Sequence, residues 1–157
     1  MVKILVSSCL YGEHVRYDDG DVPCLDERFL KWKEEGRFVP VCPEVFGGLP
    51  IPRPDSQRVG EKVLSCTGLD VTREYTLGAE ESLRLAKEAQ VGFALMKADS
   101  PSCGNRFIYD GTFTDTKKEG VGLAVEYLQR AGFTVFNEEE LDQAEALLKD
   151  LEEKDGE

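Results

Sequence analysis

Four short apolar runs are spread along the chain, and the segments between them carry helical patterns. The runs are Lys3-Ile-Leu-Val-Ser-Ser8, Arg37-Phe-Val-Pro-Val-Cys42, Val91-Gly-Phe-Ala-Leu-Met96 and Phe133-Thr-Val-Phe136. Each has the length of a strand. The first reads as a strand buried on both faces, because it is a continuous apolar run without alternation. Between the runs, 26–35 reads as a helix with Phe29, Leu30 and Trp32 apolar and Gly36 as its stop, and 78–90 as a helix carrying Ala79, Leu83 and Ala86. Val121, Ala124, Val125 and Leu128 form a helical stripe that Gly132 should end. Asn137 is placed to cap a last helix, with Glu140 three residues on as in a capping box, and Leu141, Ala144, Leu148 and Leu151 on its inner face. Strands alternating with helices predict one α/β domain over residues 1–157. Its core would be a mostly parallel four-stranded sheet with helices on both faces, Rossmann-like in its layering. The stretch 43–60 holds four prolines and three glycines and is expected to be a long shaped loop.

Charge narrows the partners. The chain carries 31 acidic against 19 basic residues, a net charge of −12, and much of it is local: residues 138–157 hold ten acidic residues and two lysines. That tail reads as a solvated helix face. The average field repels a phosphate backbone, so nucleic acid is not the expected partner, whereas a small neutral or weakly anionic ligand is compatible. No apolar run approaches the roughly 20 residues of a membrane span, and no basic segment leads into a long apolar stretch at the start, so a cytoplasmic location is expected.

Five cysteines in 157 residues then need an explanation. In a reducing compartment, metal binding or catalysis is a better reading than disulfides. Cys9, Cys42 and Cys103 each lie at or after the end of an expected strand. In open parallel sheets ligands bind outside the carboxyl ends of the strands. Three loops would thus bring three thiols to one edge. Such a set can bind zinc with a fourth ligand, for which the single histidine, His14, is a candidate. It can also hold an iron–sulfur cluster, or consist of unligated core thiols. No C-x-x-C or H-x-x-x-H pair is present to favour zinc. Three cysteines on a four-iron cluster would leave one iron open as a Lewis acid.

Longer motifs surround these cysteines. Ser8-Cys-Leu-Tyr-Gly-Glu-His-Val-Arg-Tyr-Asp18 resembles the opening motif of the thiouracil desulfidase family, and Val41-Cys-Pro-Glu-Val-Phe-Gly-Gly-Leu-Pro-Ile-Pro-Arg53 resembles its second. Asp70-Val-Thr, Gly78-Ala79, Lys97-Ala-Asp-Ser-Pro-Ser-Cys-Gly104, Tyr109-Asp-Gly-Thr-Phe113 and Val135-Phe-Asn-Glu-Glu139 follow in the family's order. The resemblance covers nearly the whole chain. Two departures stand out: Leu10-Tyr-Gly12 where the family often has Leu-Leu-Gly, and Asp55-Ser-Gln57 where it often has Pro-Ala-Glu. The second bears on the substrate pocket.

The resemblance implies a 4Fe-4S cluster with one open iron, held by Cys9, Cys42 and Cys103. It also implies non-redox desulfuration of a small thiolated base such as 2-thiouracil, giving the oxo base and sulfide. Glu44, two residues after a ligand, is implied as the acid–base residue, and Ser100 or Ser102 as the one that orients substrate or relays a proton, Ser100 being preferred. Cys24 and Cys66 fall outside the motifs and read as structural thiols. Arg16, Tyr17, Asp18 and Arg53 read either as pocket residues or as braces of their loops. The alternative function is a non-catalytic iron–sulfur or zinc sensor.

Overall fold

The computed structural model describes residues 1–12, 23–51 and 53–155. His14, Arg16, Tyr17 and Asp18 lie outside the described residues. In chain order, β1 (Ile4–Ser7) leads into a single helical turn, α1 (Ser8–Tyr11), and α2 (Glu27–Glu34) precedes β2 (Phe38–Val41). A second short turn, α3 (Pro43–Phe46), is followed by β3 (Ser56–Val59), β4 (Lys62–Ser65) and the long α4 (Thr72–Glu88). Then come β5 (Phe93–Met96), β6 (Phe107–Tyr109), β7 (Lys117–Glu119), α5 (Leu123–Arg130), β8 (Val135–Asn137) and α6 (Leu141–Asp155).

The four apolar runs form the central sheet, in the order β2-β1-β5-β8 with every pairing parallel. The alternation of side chains across the sheet divides the core. Ile4, Val6, Phe93 and Leu95 pack on one face with Phe29 and Trp32 of α2 and Leu141, Ala144 and Leu148 of α6. Leu5, Ala94 and Met96 pack on the other with Ala86 of α4 and Val125 and Leu128 of α5. Helices therefore cover both faces, as expected for a parallel sheet. Asp26 caps α2 by accepting from the Arg28 amide at 2.9 Å, and Gly36 and Gly132 leave their helices at φ +75° and +95°, where glycine has no steric cost.

Three expectations need correcting, and one hairpin is added. The stretch 43–60 is not one loop: it contains α3 and the strand β3, which turns at Gly60 and pairs antiparallel with β4. Helix α4 begins at Thr72 rather than Gly78. Its start is fixed by polar contacts, with the Thr72 amide donating to Asp70 Oδ1 at 2.9 Å and Thr72 Oγ1 accepting from the Val63 amide at 2.9 Å. Asn137 ends β8; its amide donates to Glu140 Oε1 at 3.1 Å, as a capping box expects, and its Oδ1 accepts from the Glu139 amide at 2.8 Å, but α6 starts one turn later with Ala144 donating to the Glu140 carbonyl. A second hairpin, β6–β7, was not foreseen, because Lys117, Lys118 and Glu119 are all exposed and carry no apolar alternation.

Candidate active site

The β1-to-β2 connection runs to one side of β1 and the β2-to-β5 connection crosses to the other, so the carboxyl end of β1 is the switch point of the sheet. The cavity sits there, about 180 Å³ in volume, and the ends of three strands supply its chemistry. Cys9 lies in α1, directly after β1, and Cys42 lies between β2 and α3, where it occupies the N-cap position. Cys103 lies in the loop after β5. That loop is tied to the start of α5: the Leu123 and Ala124 amides donate to the Pro101 and Ser102 carbonyls at 2.9 and 3.1 Å. A Cβ on Gly122 would come within 2.4 Å of the Ser102 carbonyl carbon, so only glycine permits this close approach. Ser7 joins the first and third strands from below, its hydroxyl accepting from the Lys97 amide at 2.8 Å.

Cys9, Cys42 and Cys103 all line this one cavity, whereas Cys24 packs against the core on the α2 side and Cys66 is exposed. Burial pushes the Cys42 thiol up from its ordinary pKa. It pushes Cys103, only 5% exposed, up to about 12, and the nearby Cys9 and Cys42 add to the effect. Cys42 and Cys103, whose burial disfavours the thiolate, line one cavity with Cys9, and such a set suits a positively charged inorganic group that would restore the charge balance. Among the described residues, no group of three His, Cys, Asp or Glu side chains is arranged to hold a single metal ion. A cluster takes one cysteine per iron, so its ligands need not meet at one atom.

Glu44 projects from α3 into the same cavity, and both of its oxygens are engaged. Oε1 accepts from Arg53 Nε at 3.1 Å, and Oε2 accepts from Ser102 Oγ at 3.1 Å. The Arg53 side chain is 3% exposed, and its Nη1 also donates to the Pro50 carbonyl, so Arg53 braces both the carboxylate and the loop. The serines differ in position. Ser100 Oγ accepts from the Ser102 and Cys103 amides, both at 3.1 Å, which shapes the turn. Ser102 Oγ stands between Glu44 and the Cys103 sulfur, 3.5 Å from the latter.

The cavity also includes residues to which the motifs assign no role. Tyr75 of α4 reaches the wall although it is 1% exposed. The available signal was a tyrosine one turn before Gly78-Ala79 on an otherwise small-residue stripe. Lys97 and Tyr109 also line the cavity. So does Asp55, the first residue of the departing Asp55-Ser-Gln57 segment. Gln57 in turn fixes the β6–β7 loop, its Oε1 accepting from the Gly111 amide at 2.9 Å.

The chain is similar to known proteins over most of its length. The sequence model of the 2-thiouracil desulfurase family matches residues 4–140. The chain is 38% identical over 148 residues to the uncharacterised protein YbbK of Bacillus subtilis (strain 168), covering 88% of this chain and 97% of that one. It superposes with a TM-score of 0.93 on the solved structure of the 4Fe-4S-dependent thiouracil desulfidase TudS, at 42% identity, covering 95% of this chain and 99% of that one.

Proposed function

The chain belongs to the 2-thiouracil desulfurase family, and from that premise we propose that it is a 4Fe-4S-dependent desulfidase, converting a small thiolated pyrimidine of the 2-thiouracil kind to the oxo base and sulfide. The single observation that carries the reading is the convergence of Cys9, Cys42, Cys103 and Glu44 on one cavity at the carboxyl edge of the sheet. The reaction balances without a redox partner: one water enters, its oxygen replaces the sulfur on the ring carbon, and its two hydrogens leave with the sulfur.

When bound by Cys9, Cys42 and Cys103, a 4Fe-4S cluster supplies one open iron, a Lewis acid for the thiocarbonyl sulfur. The protein supplies the rest. Glu44 accepts a proton from the water that adds to the ring carbon, which is the work of a positioned carboxylate. Arg53 fixes the carboxylate from one side. Ser102, touching both Glu44 and Cys103, carries the hydrogen bond towards the departing sulfur, and Ser100 holds Ser102 in its turn. The sequence preference for Ser100 thus gives way, in this proposal, to Ser102 as the relay and Ser100 as its support. Asp55 faces the ring and contributes to which thio-base is accepted.

No helix among the described residues is long and apolar enough to cross a membrane. A site built of three cysteine thiols suits a reducing compartment, so the proposal places the protein in the cytoplasm, in sulfur metabolism, with the whole of 1–157 acting as one unit. The net charge of −12 favours a free base over nucleic acid as substrate. The test is anaerobic reconstitution with iron and sulfide followed by incubation with 2-thiouracil. Wild-type protein should release sulfide and the Cys103→Ala variant should release none. A wild-type preparation loaded with four irons yet inert towards thio-bases would instead favour a sensor.

A further inference from the structure

Helix α5 starts without a capping side chain, since its N-cap is Gly122. Its first three amides are taken by the loop after β5: Leu123 donates to the Pro101 carbonyl, and Ala124 and Val125 both donate to the Ser102 carbonyl. The Gly122 amide donates to the Gly104 carbonyl at 2.8 Å. Loop and helix start are thus one unit, and Cys103 lies inside it. A buried side chain from a separate hairpin, Arg58 of β3, grips that unit. Its Nη1 donates to the Val121 carbonyl at 2.8 Å and its Nη2 to Glu126 Oε1 at 2.9 Å, while its Nε donates to the Gly60 carbonyl of its own hairpin at 2.8 Å. One planar group therefore holds the residue before the helix start and a carboxylate in the first turn. Asp55, three residues before Arg58, lines the cavity, so this segment runs from the cavity wall to the start of α5.

We propose that Arg58 is a positioning residue for Cys103: by fixing the start of α5, it holds the loop that carries this thiol closed at the cavity. The role of the thiol as a cluster ligand rests on the desulfidase reading above. Val125 and Leu128 seat α5 on the sheet by apolar packing, which is non-directional and does not set how far the helix reaches towards the cavity. The two polar contacts at its first turn do set it, because hydrogen bonds fix both distance and angle. Any shift of that turn is passed on to residues 101–104 through the four backbone bonds, and the close approach of Gly122 to Ser102 leaves no slack between them.

The test is Arg58→Gln with two readouts: the rate at which the reconstituted protein loses iron to a chelator, and the rate at which iodoacetamide labels Cys103 in the cluster-free chain. Both should rise about ten- to a hundredfold, the worth of one hydrogen bond to a charged group, with the labelling of exposed Cys66 unchanged. Leu148→Ala, in the core on the α2 side of the sheet, is the control for lost stability alone. It should lower the denaturant midpoint and leave both rates near those of the wild type. Unchanged rates in Arg58→Gln, or the same rise in Leu148→Ala, would overturn the proposal. If Arg58→Gln does not fold, Glu126→Gln takes its place, because it removes only the charge of a half-buried partner. It should also speed the labelling of Cys103, and no change would overturn the proposal. A wild-type chain that takes up no iron defeats the desulfidase reading, and the labelling of Cys103 then decides on Arg58 by itself.

Discussion

Glu44 and Cys103 are neighbours in space, joined through Ser102, but they are assigned different work. The Glu44→Ala protein should keep its iron and its visible absorbance and release sulfide at least about a hundredfold more slowly, the usual worth of general acid–base help. Cys103→Ala should lose iron and activity together. A Glu44→Ala variant that loses its iron would make the carboxylate structural, and one with wild-type turnover would move the proton transfer to another group. Burial also sets an order of thiol reactivity. The thiolate is the nucleophile, and Cys103, pushed up to about 12, holds almost none of it near pH 8. In the cluster-free chain, a brief pulse of iodoacetamide read by mass spectrometry should label exposed Cys66 first and Cys103 last. Equal labelling of the two would show that the loop after β5 is open. The convergence of Cys9, Cys42 and Cys103 was legible in the sequence because each follows an apolar run that forms a strand of the sheet. Tyr75 was not, because a lone tyrosine on a helix face reads as core until the cavity beside it is seen.

The elements that shape the cavity depend on close approach more than on propensity. Glycine inside a helix costs about 1 kcal/mol relative to alanine, and Gly78 incurs that cost in the middle of α4 because nothing larger fits against Pro43. Gly78→Ala should therefore destabilise the protein by about 1–3 kcal/mol, as overpacking does, and should also weaken iron retention, since the backbone that must move lies between Cys42 and Glu44. Gly36→Ala is the matched control. It meets nothing within 4 Å and bears only the strain of φ +75°, about 1–2 kcal/mol, and it lies at the end of α2, so iron should be retained. Equal iron content in the two variants would mean that the α3–α4 contact does not govern the site. The same physics explains which elements were legible. Strands β1, β2, β5 and β8 were, since each matches one of the four apolar runs. The start of α4 was hidden by Gly78, which reads as a boundary when only propensity is considered. The β6–β7 hairpin was hidden because three exposed polar residues form one of its strands.

At the scale of the whole molecule, the acidic final helix is part of the fold and not an appended tail. Leu141, Ala144 and Leu148 are buried against the α2 side of the sheet, and the Val2 amide donates to Glu152 of the same helix at 3.1 Å. Leu148→Ala should cost about 2–5 kcal/mol, read as a lower denaturant midpoint, because a leucine cavity opens in the core. A loss below about 0.5 kcal/mol would mean that the helix is not seated. The arrangement leaves one edge of the sheet for chemistry, with three thiols, a braced carboxylate and two serines around a cavity the size of a small ring compound. What most directly tests this account is the product balance of the reconstituted protein with 2-thiouracil, anaerobically and without any electron donor. Uracil and sulfide should appear in equal amounts over many turnovers. Dependence on a reductant, or the absence of either product from fully loaded protein, would contradict it.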